Sequence, residues 1–167
     1  YIEGNSDKNE FRNCTDQLRT TQEAYEKQSK NLMVQNFILA NRPYIPSKYE
    51  AVQDYITHKK EHYFDHLKVD NNVLQASDFL TDKLKNYVFT ALPAEPVSSE
   101  ETEKIIQNNI EKVNTKLAPA VDAYKFDVFY KLWKMSTSGG LNTTTDFIYD
   151  TYLKSLASAS SDPNKAQ

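Results

Sequence analysis

The sequence predicts an all-α fold of about six helices, arranged as antiparallel hairpins in a bundle with a long first helix. Three observations predict it. Glycine and proline are sparse, at three and six residues in 167, fewer than strands and tight β-hairpins usually consume. Residues 6–41 contain neither. Apolar side chains recur at spacings of three, four and seven rather than alternating. A 12% aromatic content within 39% hydrophobic residues argues against disorder. A chain of this length suits one domain, which would bury roughly two thirds of its unfolded surface.

The elements follow in order. Phe11, Leu18, Tyr25, Leu32 and Leu39 repeat at every seventh position, with Cys14, Thr21 and Met33-Val34 partly filling a second row. That pattern is a long helix over 6–41 with a narrow seam, packed against a neighbouring helix or pairing as a coiled coil. Cys14 falls near the seam and reads as a small buried core residue. Arg42-Pro43-Tyr44-Ile45-Pro46 breaks the helix. Ser47 with Glu50 makes a capping box, opening a second helix from Lys48 to Leu67. A third runs from Val73 or Ser77 to Ala91 on Phe79, Leu80, Leu84, Tyr87 and Val88. After the Leu92–Pro96 loop, Ser98 and Glu101 cap a fourth helix ending near Leu117, striped by Ile106, Ile110 and Val113. Pro119 suits the first turn of a fifth, which carries Tyr124, Val128, Phe129, Leu132 and Trp133. Gly139-Gly140 make a turn, and Thr143 or Thr144 starts a sixth. The helical domain spans 1–156, and 157–167 read as a linker. The chain begins at Tyr1 rather than Met, which points to a processed or shortened protein.

Several function classes find no support. Net charge is −3 with signs interspersed and no basic stripe, so nucleic acid is not an expected partner. No apolar run approaches the ~20 residues of a membrane span, and no amphipathic anchor stands out. With Cys14 as the one cysteine, an internal disulfide, a C-x-x-C pair and a thiolate zinc cage are excluded. Ser136–Gly140 lacks the phosphate-loop pattern, and no G-x-S-x-G elbow is present. Asn13-Cys14-Thr15 and Asn142-Thr143-Thr144 match the glycosylation sequon, a tripeptide that arises often by chance.

All three histidines lie in Thr57–His66, at His58, His62 and His66. On a helix, either adjacent pair could chelate one ion, but His58 and His66 lie about 12 Å apart along the axis. Three on one tetrahedral zinc is therefore excluded, and Lys59 stands where the zincin motif needs glutamate. The helical wheel sets the histidines beside a stripe of Val52, Ile56, Tyr63 and Leu67, as an ordinary helix flank. A metal pair at His58/His62 or His62/His66 stays open. The eleven tyrosines and Trp133 suit sugar stacking, but most occupy apolar helix positions where packing is the default. No residue of the sequence is assigned a catalytic, cofactor-binding or metal role.

Glu61–Leu67 (EHYFDHL), then Asp70 and Val73-Leu74, resembles a segment in a helical region of envelope thioredoxin-like proteins of Bacteroides-type bacteria. The similarity continues through Asp82–Tyr87, Lys131-Leu132-Trp133 and the stretch from Gly139-Gly140 to Tyr152, covering about residues 10–156. In that family the region precedes a thioredoxin domain of the TlpA/ResA type, often called AhpC/TSA-like. Asp162–Gln167 is similar to the lead-in to such a domain, with Asn164 in a glycine position. The resemblance implies a noncatalytic helical module of a periplasmic or envelope thiol–disulfide oxidoreductase. Its partners would be its own thioredoxin-like domain, a client protein or a second copy. The family's C-x-x-C is absent, and Cys14 is not its counterpart. The alternative reading is a stand-alone helical binding protein for a peptide or carbohydrate.

Overall fold

The computed structural model describes residues 7–93 and 96–160, with side chains through Ser158. The fold is all-α, and the described residues contain no strand. The chain divides into two compact units at Lys68–Val69.

The first unit holds α1 (Lys8–Gln28), α2 (Leu32–Ala40) and α3 (Val52–Glu61). The single long helix expected over 6–41 is broken. Ser29 is extended at φ −80°, ψ 128°, and Asn31 caps α2 by accepting from the N–H groups of Met33 and Val34. Asparagine competes for the backbone in this way at helix starts, so its side chain ends one helix and begins another despite an unbroken helical pattern. α2 folds back on α1, tied by a hydrogen bond from Gln22 Nε2 to the Ile38 carbonyl. The seven-residue seam is not buried. Leu18 is 46% exposed, Tyr25 57% and Leu32 75%. Cys14 is exposed too, correcting its assignment to the core. The face of α1 turned inward is instead Phe11, Thr15, Arg19, Gln22 and Glu26, all of intermediate burial.

The second helix also differs from expectation. Glu50 does not close a capping box on Ser47; it accepts the Tyr44 hydroxyl at 2.9 Å. With that carboxylate engaged, the helix starts at Val52 behind an uncapped Ala51. It ends at Glu61, where tighter turns take over: Tyr63 N–H to Lys60 C=O, Asp65 to His62 and Leu67 to Phe64. Ile56 is consequently exposed, while Phe64 and Leu67 are buried from beyond the helix end.

The second unit contains α4 (Asn72–Gln75), α5 (Asp78–Thr90), α6 (Ser99–Lys116), α7 (Asp122–Ser138), α8 (Asn142–Ile148), a π turn (Tyr149–Leu153) and α9 (Lys154–Ser160). Ser98 caps α6 as predicted, accepting the Glu101 N–H at 3.2 Å. Pro119 does not open α7. It sits in a turn closed by Ala120 N–H to Leu117 C=O, which buries Leu117 and Ala120 and delays the helix to Asp122. α9 carries helix into the first residues expected as linker; 161–167, including the lead-in from Asp162, lie outside the described residues.

Leu80, Leu84, Val88, Ile110, Val113, Val128, Phe129, Leu132 and Ile148 have essentially no exposed surface and form the core of this unit. Burying each such side chain contributes about 1.5–3 kcal/mol. Two polar links cross it. Asn109 donates to the Val88 and Ala91 carbonyls at 3.1 and 3.3 Å, holding the end of α5 against α6. The Tyr124 and Thr81 hydroxyls meet at 3.2 Å between α7 and α5. Phe129 stacks on Tyr152 at 4.3 Å, locking α7 to the π turn.

Candidate functional site

The histidine stretch borders a polar cleft of about 200 Å³ in the first unit, lined by α1, the 42–45 loop and the turns after α3. The loop is stiff: Pro43 and Pro46 fix φ at two of its positions. It carries Tyr44 between two imidazoles. The His62 ring stacks on Tyr44 at 5.0 Å and 2° from parallel, and His58 meets it edge-on at 6.3 Å. A carboxylate lies near each imidazole, in hydrogen-bonding geometry for His62 alone. His62 Nδ1 is 2.6 Å from Asp65 Oδ2, and His58 Nδ1 is 3.0 Å from Glu50 Oε1, the oxygen that takes the Tyr44 hydroxyl. His66 lines the cleft with His62.

Arg42 anchors the loop to α1. Its Nε and an Nη donate to the two oxygens of Glu26 at 2.8 and 2.7 Å, a bidentate pair. Burial pushes the Glu26 carboxyl up, but the Arg42 and Gln22 hydrogen bonds and the charges of Arg42 and His66 outweigh it and hold the group below the ordinary carboxylate range.

The three histidines are thus not ligands on one helix face. His58 is in the last turn of α3, His62 is its C-cap and His66 lies beyond it. The Nδ1 atoms of His58 and His62 lie beside different carboxylates, and only that of His62 is hydrogen-bonded to its own. Among the described residues no group of three or more His, Cys, Asp or Glu side chains is placed to hold a metal. What the arrangement does chemically is clamp Tyr44. Sequence reasoning missed Tyr44, Arg42, Glu26 and Glu50 because it took Arg42–Pro46 only as a helix breaker. The two prolines flanking Tyr44 were the available signal that this loop is held rigid.

A second concavity, about 220 Å³ and almost wholly apolar, lies in the second unit between α7, the π turn and α9. Tyr130 stands between Phe126 at 6.2 Å and Trp133 at 5.9 Å, with rings 5° and 21° from parallel. Tyr149 faces it from the π turn. The ammonium groups of Lys134 and Lys154 lie over the Tyr130 and Tyr149 rings at 5.8 and 5.1 Å. These aromatics depart from the packed default: Tyr130 and Tyr149 are exposed, whereas Tyr87 and Tyr124 are buried. No helix among the described residues is long and apolar enough to cross a membrane.

No protein-family model matches the chain, and no curated protein or solved structure does either.

Proposed function

We propose that the chain is a noncatalytic helical module of a periplasmic or envelope thiol–disulfide oxidoreductase, serving to position the redox domain, bind its client or pair two copies. One observation carries this reading. The apolar residues that bear the resemblance build the fold. Phe64, Leu67, Leu74, Leu84, Tyr87 and Leu132 are all buried, and Tyr152 packs on Phe129. A motif whose members are spent on packing marks a scaffold, and chemistry then falls to another domain. The test is to compare the gene product with and without residues 1–156. If removing them leaves client reduction, dimerisation and redox-domain stability unchanged, or if the gene encodes no C-x-x-C thioredoxin domain after Gln167, the reading fails.

The apolar groove favours a second reading, a binding protein for a peptide or sugar. Exposed parallel rings offer a stacking floor, and stacking needs no catalytic group. Trp133 is the single tryptophan and lines the groove. Its fluorescence, titrated with oligosaccharides and with proline-rich peptides, tests this directly. Saturable quenching lost in Tyr130→Ala supports the reading, and an unchanged spectrum removes it.

A further inference from the structure

We infer that the groove between the first half of α1 and residues 47–49 binds a phosphate group, carried by a soluble phosphate ester or by a lipid headgroup. This site goes beyond the roles proposed above; it stands on the first unit alone and needs no redox domain.

Charges are interspersed along the sequence, but the fold gathers one sign here. Spacings of four and seven set Lys8, Arg12 and Arg19 within about 40° of one another around α1. Tyr49 brings a fourth cation to the same place. Its ring meets Phe11 edge-on at 5.4 Å and lies 5.9 Å from the Lys8 ammonium, so that Lys48, beside it in the chain, lines the groove too. The groove has a volume of about 430 Å³, against about 200 Å³ for the histidine cleft. That size suits a small-molecule ligand.

The charge of the walls identifies the ligand. Four cations line the groove against one carboxylate, Asp16, in a chain whose net charge is −3. Asp16 is already committed to Arg19 at 2.8 Å. Lys8, Arg12 and Lys48 form no ion pair among the described residues, whereas Arg42, Lys85, Lys125 and Lys131 each have one. Like charges held together repel, and a concave wall of one sign concentrates ions of the other. Three uncommitted cations exceed what a single carboxylate would neutralise. A phosphate group brings close to two charges and three acceptor oxygens to one point, and the guanidinium fork of Arg12 matches two of those oxygens. The acidity of the chain as a whole disfavours a long polyanion such as nucleic acid, which leaves a compact one.

The test is titration of the isotope-labelled 167-residue chain with inorganic pyrophosphate, followed by its amide resonances, at about 0.1 M salt, where distant charges are screened. Expected are saturable shifts concentrated at residues 8–19 and 47–49. Arg12→Gln with Lys48→Gln should weaken binding roughly tenfold or more, the scale of losing charged hydrogen bonds. Lys30→Gln with Lys112→Gln removes the same charge at exposed positions outside the groove and should leave the affinity within about twofold. Far-UV circular dichroism checks that both double variants remain helical. Absence of saturable shifts overturns the proposal, as do shifts centred outside those residues or equal weakening in the two double variants. Phosphatidic acid vesicles then separate the sources. Flotation lost in Arg12→Gln with Lys48→Gln assigns the phosphate to a lipid headgroup, and pyrophosphate binding without flotation assigns it to a soluble ester.

Discussion

Replacing Glu103 by glutamine should loosen the second unit in a pH-dependent way. α8 begins at Asn142 with Leu141 as N-cap, a residue that can offer no side-chain cap. The cap comes from another helix. Glu103 on α6 accepts the Thr143 hydroxyl at 2.6 Å and the Thr144 N–H at 2.7 Å through one oxygen. Burial raises the Glu103 carboxyl, but these hydrogen bonds outweigh it and the group sits below its ordinary value of 4.5. A hydrogen bond to a charged group contributes about 1.5–3 kcal/mol in protected sites, less at a half-buried one. A carboxylate at a helix N-terminus adds about 0.3–1 kcal/mol. Glutamine keeps an acceptor and loses the charge, so Glu103→Gln should cost about 1 kcal/mol at pH 7 and Glu103→Ala about 2 kcal/mol. The sign follows from the lowered folded value. The contribution is present at pH above 4.5 and is lost as the pH falls through the folded value, so wild type and Glu103→Gln should converge in acid. Urea unfolding followed by Trp133, which lies in this unit, is the assay. Equal stability at pH 7, or a gap that persists undiminished in acid, refutes the argument.

Three further outcomes are expected. Asn109→Leu removes both hydrogen bonds from α6 to the end of α5 within the core and should cost about 2–3 kcal/mol in the same unfolding assay, against under ~0.5 kcal/mol if those bonds are incidental. Arg42→Ala should destabilise the first unit by about 1–2 kcal/mol, read as faster amide exchange in α1 and α2 than elsewhere, and Arg42→Lys should recover little because lysine lacks the planar fork. Tyr44→Phe breaks the bond to Glu50 and should cost about 0.5–1.5 kcal/mol, whereas Tyr44→Ala also removes the ring that His62 stacks on and should cost distinctly more; equal effects would refute the stacking role.

The second unit was the more legible in sequence because its helices follow local rules. The Ser98 cap, the Ile106–Ile110–Val113 stripe and the turn at Gly139-Gly140 each act within a few residues. Among the described residues Gly140 alone takes a left-handed backbone, at φ 69°. The first unit departs from its sequence pattern where partners distant in sequence decide the outcome. Glu50 leaves a capping box for Tyr44 and His58, and the helix start moves by about a turn. Asn31 overrides the continuous pattern across 6–41 through bonds to its own next residues. The histidine spacing of four and four suggested one helix face, but the pairing of His62 with Asp65 and its stacking on Tyr44 accompany a helix that has already ended. The Tyr44 clamp needs residues from 26 to 66 to converge, which periodicity cannot reveal.

The π turn at Tyr149–Leu153 has a consequence for how this protein can drift in length. Ile148 and Leu153 are both buried although five residues separate them, a spacing that would set them about 140° apart on a regular α-helix. The Lys154 N–H reaches back five residues to the Tyr149 carbonyl and brings them onto one side. The surplus residue behaves like a slipped tooth in a gear. Losing one residue here would leave a spacing of four, which an ordinary helix already places on one side. Most helices are thrown out of phase by a single deletion; this one carries a surplus residue that a deletion would remove, so variants one residue shorter at Asp150 or Thr151 should keep Ile148 and Leu153 on one buried side, read as an unfolding midpoint close to that of the full chain.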